Sequence, residues 1–262
     1  MGKNIIFCFT GTGNSLKVSK DIASSLEDCS IYPMTKSGFK FSQGEYDRIG
    51  FVFPVYFIGL PLQVVEFIQS LDIRNIKNAY FFSVATCGQF CGDALKQVNK
   101  ILKEKGACLN YGKKLVMASN YVVLYDMERN VEKKDKNYIS NISQIVSFIV
   151  DKKTTKIKNE NPIVKFYYNK VIGKVNEEDR GYNVSENCIG CGICKNICPS
   201  DNIKMENKRP IFKHSCQQCM ACIQYCPKRA INYKNITQKR GRYHNPNISA
   251  EELMKFYKTN TM

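Results

Sequence analysis

Two runs of four cysteines constrain this chain more tightly than any other feature. Cys188, Cys191, Cys194 and Cys198 are followed by Pro199, and Cys216, Cys219, Cys222 and Cys226 by Pro227, so eight of the 13 cysteines obey one repeated spacing. The offset between the copies is 28 residues, and it also carries Ile203 onto Ile231. Paired cysteines two residues apart can hold zinc tetrahedrally. Zinc modules, however, separate two such pairs by a longer loop, whereas each run here packs four cysteines and a proline into about a dozen residues. A disulfide framework fits less well, because 262 residues can bury a full core without covalent staples. No secretory signal is visible at the N-terminus, so a reducing, cytoplasmic setting is expected.

Spacing and proline together resemble the cysteine run of bacterial two-cluster ferredoxins, a [4Fe–4S] signature. Three thiolates on one tight loop can cap three irons of a cube, while a fourth at the same radius requires a sharp reversal of the chain. The resemblance implies that the fourth cysteine of each run serves the other run's cluster. Cys188, Cys191, Cys194 and Cys226 then hold one cluster, and Cys216, Cys219, Cys222 and Cys198 the other. Ile203 and Ile231 are expected to shield them from water. A small α+β domain over residues 183–235 follows, with electron transfer as its expected role.

The N-terminus has a different pattern. A short apolar run, Asn4 to Phe9, leads into Thr10-Gly11-Thr12-Gly13-Asn14-Ser15 and then into a helical pattern carrying Leu16, Val18, Ile22 and Leu26. A strand, a glycine- and hydroxyl-rich loop and a helix make a phosphate cradle: backbone N–H groups at the helix start face the anion, and the hydroxyls of Thr10, Thr12 and Ser15 add donors. The loop lacks both the Gly-Lys-Ser/Thr ending of a nucleotide-hydrolysing loop and the Gly-x-Gly-x-x-Gly of a dinucleotide site, which disfavours ATP and NAD. Further strands are expected at 31–34, 49–53, 80–85 and 115–118, alternating with helices near 61–71, 93–105 and 138–150. That alternation predicts an α/β fold with a doubly wound parallel sheet of five strands, ligands lying beyond the carboxyl ends of the strands. Two strand-end loops are unusual, Pro54-Val55-Tyr56-Phe57-Ile58-Gly59 and Thr86-Cys87-Gly88-Gln89-Phe90-Cys91-Gly92-Asp93.

With those loops, residues 1–150 resemble flavodoxin, whose Thr-x-Thr-Gly-x-Thr/Ser phosphate loop is matched by Thr10, Thr12, Gly13 and Ser15. The resemblance implies riboflavin phosphate (FMN), its phosphate on residues 10–15 and its ring between Pro54, Val55, Tyr56 and Phe57 on one loop and Thr86, Cys87, Gly88, Gln89 and Phe90 on the other. Tyr56 and Phe90 are the expected stacking residues. Gly59 and Gly88 are read either as peptide turns toward the ring or as simple turn glycines. Cys87 and Cys91, four apart, are read as buried or bystander thiols, with a redox disulfide as the alternative; Cys8, Cys29 and Cys108 read as core. His214 and His244 lack ligand-like companions. The whole chain resembles the flavodoxin-plus-ferredoxin fusion proteins of anaerobes, although typical flavodoxins are acidic.

This chain is basic: 39 Lys and Arg against 23 Asp and Glu give a formal charge of +16. Residues 1–150 hold 18 basic against 13 acidic side chains, and residues 151–262 hold 21 against 10. Two oxidised clusters with their thiolates bring roughly −4 and a flavin phosphate about −2, so part of the excess has a local cause. The remainder suits an ordinary solvated surface or an acidic redox partner, and nucleic acid is disfavoured. The most apolar stretch, 49–68, is broken by Pro54 and Pro61 and holds Gln63 and Glu66, so no membrane insertion is expected. Residues 151–182 form a linker with an apolar patch at 163–168, expected to be a helix that docks the two domains or an independent surface helix. The tail, 236–262, carries the basic run Lys239-Arg240-Gly241-Arg242 and, at Ser249 to Glu252, a capping box opening a short helix; a solvated tail is expected, or a segment covering a cluster.

The expected function is an electron relay between FMN and two [4Fe–4S] clusters, coupling two-electron to one-electron chemistry. The alternative is an FMN-dependent oxidoreductase that acts on a small organic substrate with the clusters as its wire. Asp93, Asp126, Arg129 and Lys113 are the charged side chains available to it, though Asp93 is more simply a helix-dipole partner.

Overall fold

A computed structural model describes residues 2–42, 44–76, 78–127 and 138–258. Five strands, β1 (Lys3–Cys8), β2 (Cys29–Pro33), β3 (Tyr46–Pro54), β4 (Tyr80–Cys87) and β5 (Tyr111–Val116), form one parallel sheet in the order β2-β1-β3-β4-β5. That order is the flavodoxin-like one, with its switch point between β1 and β3. Its central strands are buried on both faces, which is why Phe51–Phe53 and Phe81–Ala85 read as nearly unbroken apolar runs. Strand β5 lies at the edge: Tyr111 and Leu115 face inward, while Lys113 and Lys114 are exposed. The strand therefore starts earlier than the apolar run at 115–118 suggests, because its lysines occupy solvent-facing positions that hide it from a search for hydrophobicity.

Helices α1 (Asn14–Ala23), α2 (Leu62–Ser70), α3 (Ala94–Glu104) and α4 (Tyr138–Val150) cover the sheet. In α3 the buried Ala94, Val98, Ile101 and Leu102 follow helical spacing, and in α4 Ile142, Ile145 and Ile149 do the same. Asp93, at the start of α3, is buried; it pairs with Lys96 at 2.6 Å and accepts from the Asn161 N–H at 2.6 Å, so it anchors the linker as well as the helix. Arg129 lies outside the described residues.

The linker contains α5 (Pro162–Ile172), which opens on Pro162 and is capped by Asn161, whose side chain accepts from the N–H groups of Ile163 and Val164. Its buried Tyr168 donates to the Leu60 carbonyl at 2.7 Å and packs on Gly59, where any Cβ would overlap the Tyr168 ring. Gly59 is thus a packing glycine. A 3-10 turn (Val175–Gly181) follows and grips the second domain: buried Asp179 accepts from Asn202 Nδ2 (2.8 Å) and the His214 N–H (3.0 Å) and meets His214 Nδ1 at 2.6 Å. His214 is therefore a structural contact with a partner that the sequence does not suggest.

The second domain pairs β6 (Tyr182–Val184) with β9 (Ile231–Tyr233) and β7 (Ile203–Glu206) with β8 (Arg209–Phe212), both antiparallel. Its short helices α6 (Ile193–Asn196) and α7 (Ala221–Gln224) each follow a loop carrying the first two cysteines of a run and hold the third themselves. Because β6 pairs with the last strand, the domain begins at Tyr182, one residue before the sequence boundary.

Over its described residues, up to 258, the tail is docked on the rest of the chain. Helix α8 (Ala250–Lys258), capped by Ser249 Oγ accepting from the Glu252 N–H at 3.1 Å, buries Leu253 and Tyr257 against the first domain. The Tyr257 hydroxyl accepts from the Thr10 N–H (3.2 Å) and donates to the Thr10 carbonyl, so one phenol satisfies both backbone groups of a buried loop residue. Asn245 and Tyr243 extend the strap to Thr12 and Asn14. Tyr257→Phe leaves two buried backbone groups unpaired and is expected to cost about 1–3 kcal/mol of stability, measured by denaturant unfolding of the protein without cofactors.

Candidate functional site

At the carboxyl ends of β1, β3, β4 and β5 lies a cavity of about 460 Å³, a size suited to a cofactor. The β1–α1 loop forms its floor. Thr10, Gly11, Thr12, Asn14 and Ser15 line it, while Gly13, with φ 93°, turns behind them where a Cβ would press on Ile248 of the tail. The first N–H groups of α1 have no intrahelical acceptors and face this space. The hydroxyls of Thr10 and Thr12 are preset as donors. Thr10 Oγ1 accepts from the Gly13 N–H (3.1 Å) and Thr12 Oγ1 from Asn120 Nδ2 (2.6 Å), which leaves each O–H proton to give. Ser15 and Thr86 share one hydrogen bond at 2.9 Å, and the Thr86 hydroxyl donates onward to the Phe53 carbonyl at 3.4 Å, so both of their protons are engaged within the protein. The donor set fits an anion such as a phosphate.

Both strand-end loops reach the same cavity: Pro54, Val55, Tyr56 and Phe57 from one side, and Thr86, Cys87, Gly88, Gln89 and Phe90 from the other. Phe90 is 71% exposed and stands at the mouth, whereas Tyr56 forms an inner wall with its ring edge-on to Phe9. The sharp turn lies at Phe57 (φ 49°) and Ile58 (φ 59°), closed by paired bonds between Tyr56 and Gly59. A phenylalanine and a β-branched residue in the left-handed region store strain of about 1–3 kcal/mol each. The turn is held from outside by Tyr168 and by Gly92, where a Cβ would overlap the Ile58 carbonyl. No disulfide joins Cys87 and Cys91, and burial pushes Cys91 up to about 11. Cys8 is buried; Cys29 is half-buried and Cys108 exposed, so Cys108 is not a core residue.

Apart from Asp126, one of the charged side chains that the sequence offers, three contributors escape the sequence reading. Residues Met117 to Tyr121 and Leu124 to Met127, beyond β5, line the cavity, as does Tyr167 of α5. The misplaced start of β5 hid the first group. The third is Gln218, which lies between two cluster cysteines and still borders this cavity. Its Oε1 accepts from the Tyr121 hydroxyl at 2.8 Å, and its backbone N–H donates to Cys216 Sγ at 3.2 Å.

The eight cysteines sort into two sets. Cys188, Cys191, Cys194 and Cys226 surround one small cavity with Ile231, and Cys198, Cys216, Cys219 and Cys222 surround another with Ile203. Each set takes its fourth thiol from the other run. Among the described residues no three ligand-type side chains close on a single ion; the sulfurs instead ring a space between them, as a polynuclear cluster needs. Burial, with the neighbouring thiols adding, pushes Cys194 up to about 11 and Cys216 to about 12, and Cys219 and Cys222 well above the ordinary thiol range. Losing their protons in such places would need a neighbouring cationic metal. The repeat persists in the hydrogen bonds: Cys198 Sγ accepts from the Asn202 N–H at 3.3 Å and, 28 residues on, Cys226 Sγ from the Ala230 N–H at 3.2 Å. Arg242, from the basic run of the tail, is half-buried near Cys226 and Cys222, and burial lowers its pKa.

The two sets differ in surroundings. Cys191 and Ile189 of the first are exposed, whereas Cys216, Cys219 and Cys222 are buried against the first domain. Gly11 of the β1–α1 loop touches the second set directly, since a Cβ there would overlap the Cys219 carbonyl. Gln63 N–H donates to Gln217 Oε1 (3.0 Å), Gln63 Nε2 to the Pro199 carbonyl (2.8 Å), and Gln224 Nε2 to the Asn120 carbonyl (2.7 Å) across the same seam.

Residues 187–231 match the family model of the 4Fe-4S dicluster domain. A curated relative, the polyferredoxin protein MvhB of Methanothermus fervidus, is 32% identical over 56 residues, 21% of this chain and 14% of that protein. Among solved structures, rubredoxin oxygen:oxidoreductase from the anaerobe Desulfovibrio gigas aligns at 15% identity and a TM-score of 0.39 over 58% of this chain and 37% of its own. A short-chain flavodoxin associated with a non-canonical PDU bacterial microcompartment aligns at 15% identity and 0.35 over 54% and 99%. The flavodoxin-like assignment of the first domain stands on its strand order. This chain joins that domain to a 4Fe–4S dicluster domain, a combination that points to electron transfer, and no described helix is long and apolar enough to cross a membrane.

The crossed pairing has a direct consequence. Cys198→Ala, although in the first run, is expected to abolish or convert the cluster of Cys216, Cys219 and Cys222 and to leave that of Cys188, Cys191 and Cys194 intact, as seen by electron paramagnetic resonance (EPR) of the reduced protein with iron analysis. Loss of the cluster of Cys188, Cys191 and Cys194 instead contradicts the pairing.

Proposed function

We propose that the chain relays electrons between FMN in the cavity and two [4Fe–4S] clusters, in the order of exposed cluster, buried cluster, flavin. The observation that carries this reading is Gln218: its backbone N–H bonds a cluster thiol and its side chain borders the cavity. FMN, when bound, exchanges electrons singly or in pairs, and each cluster exchanges one. The protein's own contribution is placement. Residues 10–15 offer N–H and O–H donors to the phosphate, and the 54–58 and 86–90 loops enclose the ring. The shared wall at Gly11 and Cys219 keeps the buried cluster close, and tunnelling weakens steeply with distance.

The exposed cluster, of Cys188, Cys191, Cys194 and Cys226, is the port for a partner. Exposed Lys195, Lys208, Lys228 and Arg229 lie around it in sequence and space, with Lys228 lining its cavity and Lys208 packed on Gly190. An acidic redox protein complements that surface, and its association is expected to slow as ionic strength rises. A salt-independent rate of cluster reduction contradicts an electrostatic port.

An anaerobic redox titration of reconstituted protein, followed by absorbance and EPR, tests the relay. Two interacting reduced clusters and a titrating FMN are expected. Clusters without bound flavin, or flavin without any cluster signal, contradict it. Flavin reduction by a small organic molecule in protein lacking clusters favours the second reading, an FMN-dependent oxidoreductase, in which Asp126 is the one carboxylate among the described cavity-lining residues.

A further inference from the structure

Two side-chain atoms at the seam are buried without a partner among the described residues, Gln63 Oε1 and the Tyr56 hydroxyl, and of these the hydroxyl is a donor. The Tyr56 hydroxyl is buried and has no hydrogen-bond partner in the protein, although buried phenols nearly always find one. Its surroundings offer few candidates. Tyr56 packs on a buried apolar cluster that contains Phe9, Tyr257 and Cys219. The Tyr257 hydroxyl is committed to both backbone groups of Thr10. Burial, with Cys219, Tyr257 and Cys216 adding in that order, raises the Tyr56 pKa well above the ordinary phenol range, so the group keeps its proton. A phenol near Cys219 and Cys216 that keeps its proton is a donor available to an anionic cluster held by those cysteines.

We propose that the Tyr56 hydroxyl donates a hydrogen bond to a sulfur of the cluster held by Cys198, Cys216, Cys219 and Cys222, so that a residue of the flavodoxin-like domain sets the potential of a cluster in the other domain. The bond strengthens as the cluster gains an electron and its sulfurs become more negative, which raises the reduction potential. Of the two sets, it is Cys219 and Cys216 of the buried one that lie near Tyr56. Two sites that the 28-residue repeat makes alike are thereby separated in potential, with the buried one the better acceptor. Electrons arriving at the exposed cluster then move inward. The Tyr56 ring also forms a wall of the larger cavity.

This inference rests on the cysteine sets being cluster sites and not on the identity of the cavity ligand. Its test is Tyr56→Phe, which keeps the ring and its packing on Phe9. In the full-length reconstituted chain, EPR-monitored titration is expected to show the buried cluster harder to reduce by about tenfold in its equilibrium, which is about 59 mV for one electron. The exposed cluster should be unmoved. Electron–nuclear double resonance of the reduced wild-type protein should show an exchangeable proton coupled to the buried cluster and absent from the variant. Unchanged potentials with an unchanged exchangeable-proton signal overturn the proposal, as does an equal shift of both clusters, which marks a general structural disturbance. A wild-type chain that assembles no clusters overturns the cluster reading itself and this inference with it.

Discussion

The contact between Gly11 and the Cys219 carbonyl is the constraint around which the rest of the molecule is arranged. One loop of the α/β domain serves on one face as the floor of the cavity and on the other as a wall of the second cysteine set. No side chain larger than hydrogen fits between them. The linker and the tail both reinforce this seam. Asp179 and Asn176 bind the cysteine domain from the linker side, and Tyr257, Asn245 and Tyr243 bind the β1–α1 loop from the tail side. Such buried, fully paired polar contacts specify one docking geometry as well as adding stability. Transfer between two redox groups depends on that geometry more than on the chemistry of either.

The internal repeat of the second domain is kept in the backbone and broken in the side chains. Gly190 (φ 67°) and Gly192 (φ 72°) correspond to Gln218 (φ 52°) and Met220 (φ 62°), and Asp201 (φ 50°) to Arg229 (φ 48°). Both runs therefore need the same left-handed positions to wrap three sulfurs around a cube. The first run meets that need with glycine, which adopts this conformation freely. The second carries side chains in strained conformations at the equivalent places. They have contacts that glycine cannot make: Gln218 bonds Tyr121 and borders the cavity, and Met220 is buried beneath Tyr182. The strain falls where the cysteine domain meets its partner.

Much of this was legible in the sequence because a few interactions are local. Cysteine spacing reflects the radius of a small object, and the sorting into two crossed sets is what the resemblance to two-cluster ferredoxins implies. The β1–α1 loop is equally local, and 14 of the 15 residues expected around the cavity border it, Gly13 lying just behind. What escaped is long-range or edge-like. Strand β5 was displaced because Lys113 and Lys114 sit on an exposed edge. The buried role of Tyr257 depends on a contact spanning 247 residues, which no local pattern encodes. Gln218 was invisible for a related reason: nothing within the cysteine run distinguishes a residue facing water from one facing another domain.

The most direct measurement is the rate of flavin reduction when electrons enter only through the exposed cluster. Reconstituted protein would be mixed in stopped flow with a reduced electron carrier too large to enter the cavity, and flavin absorbance followed in the intact chain and in a variant lacking only the buried cluster. Fast bleaching in the intact chain, abolished in the variant although its flavin remains bound, is the predicted result. Equal rates in the two proteins would contradict the inward path through the seam.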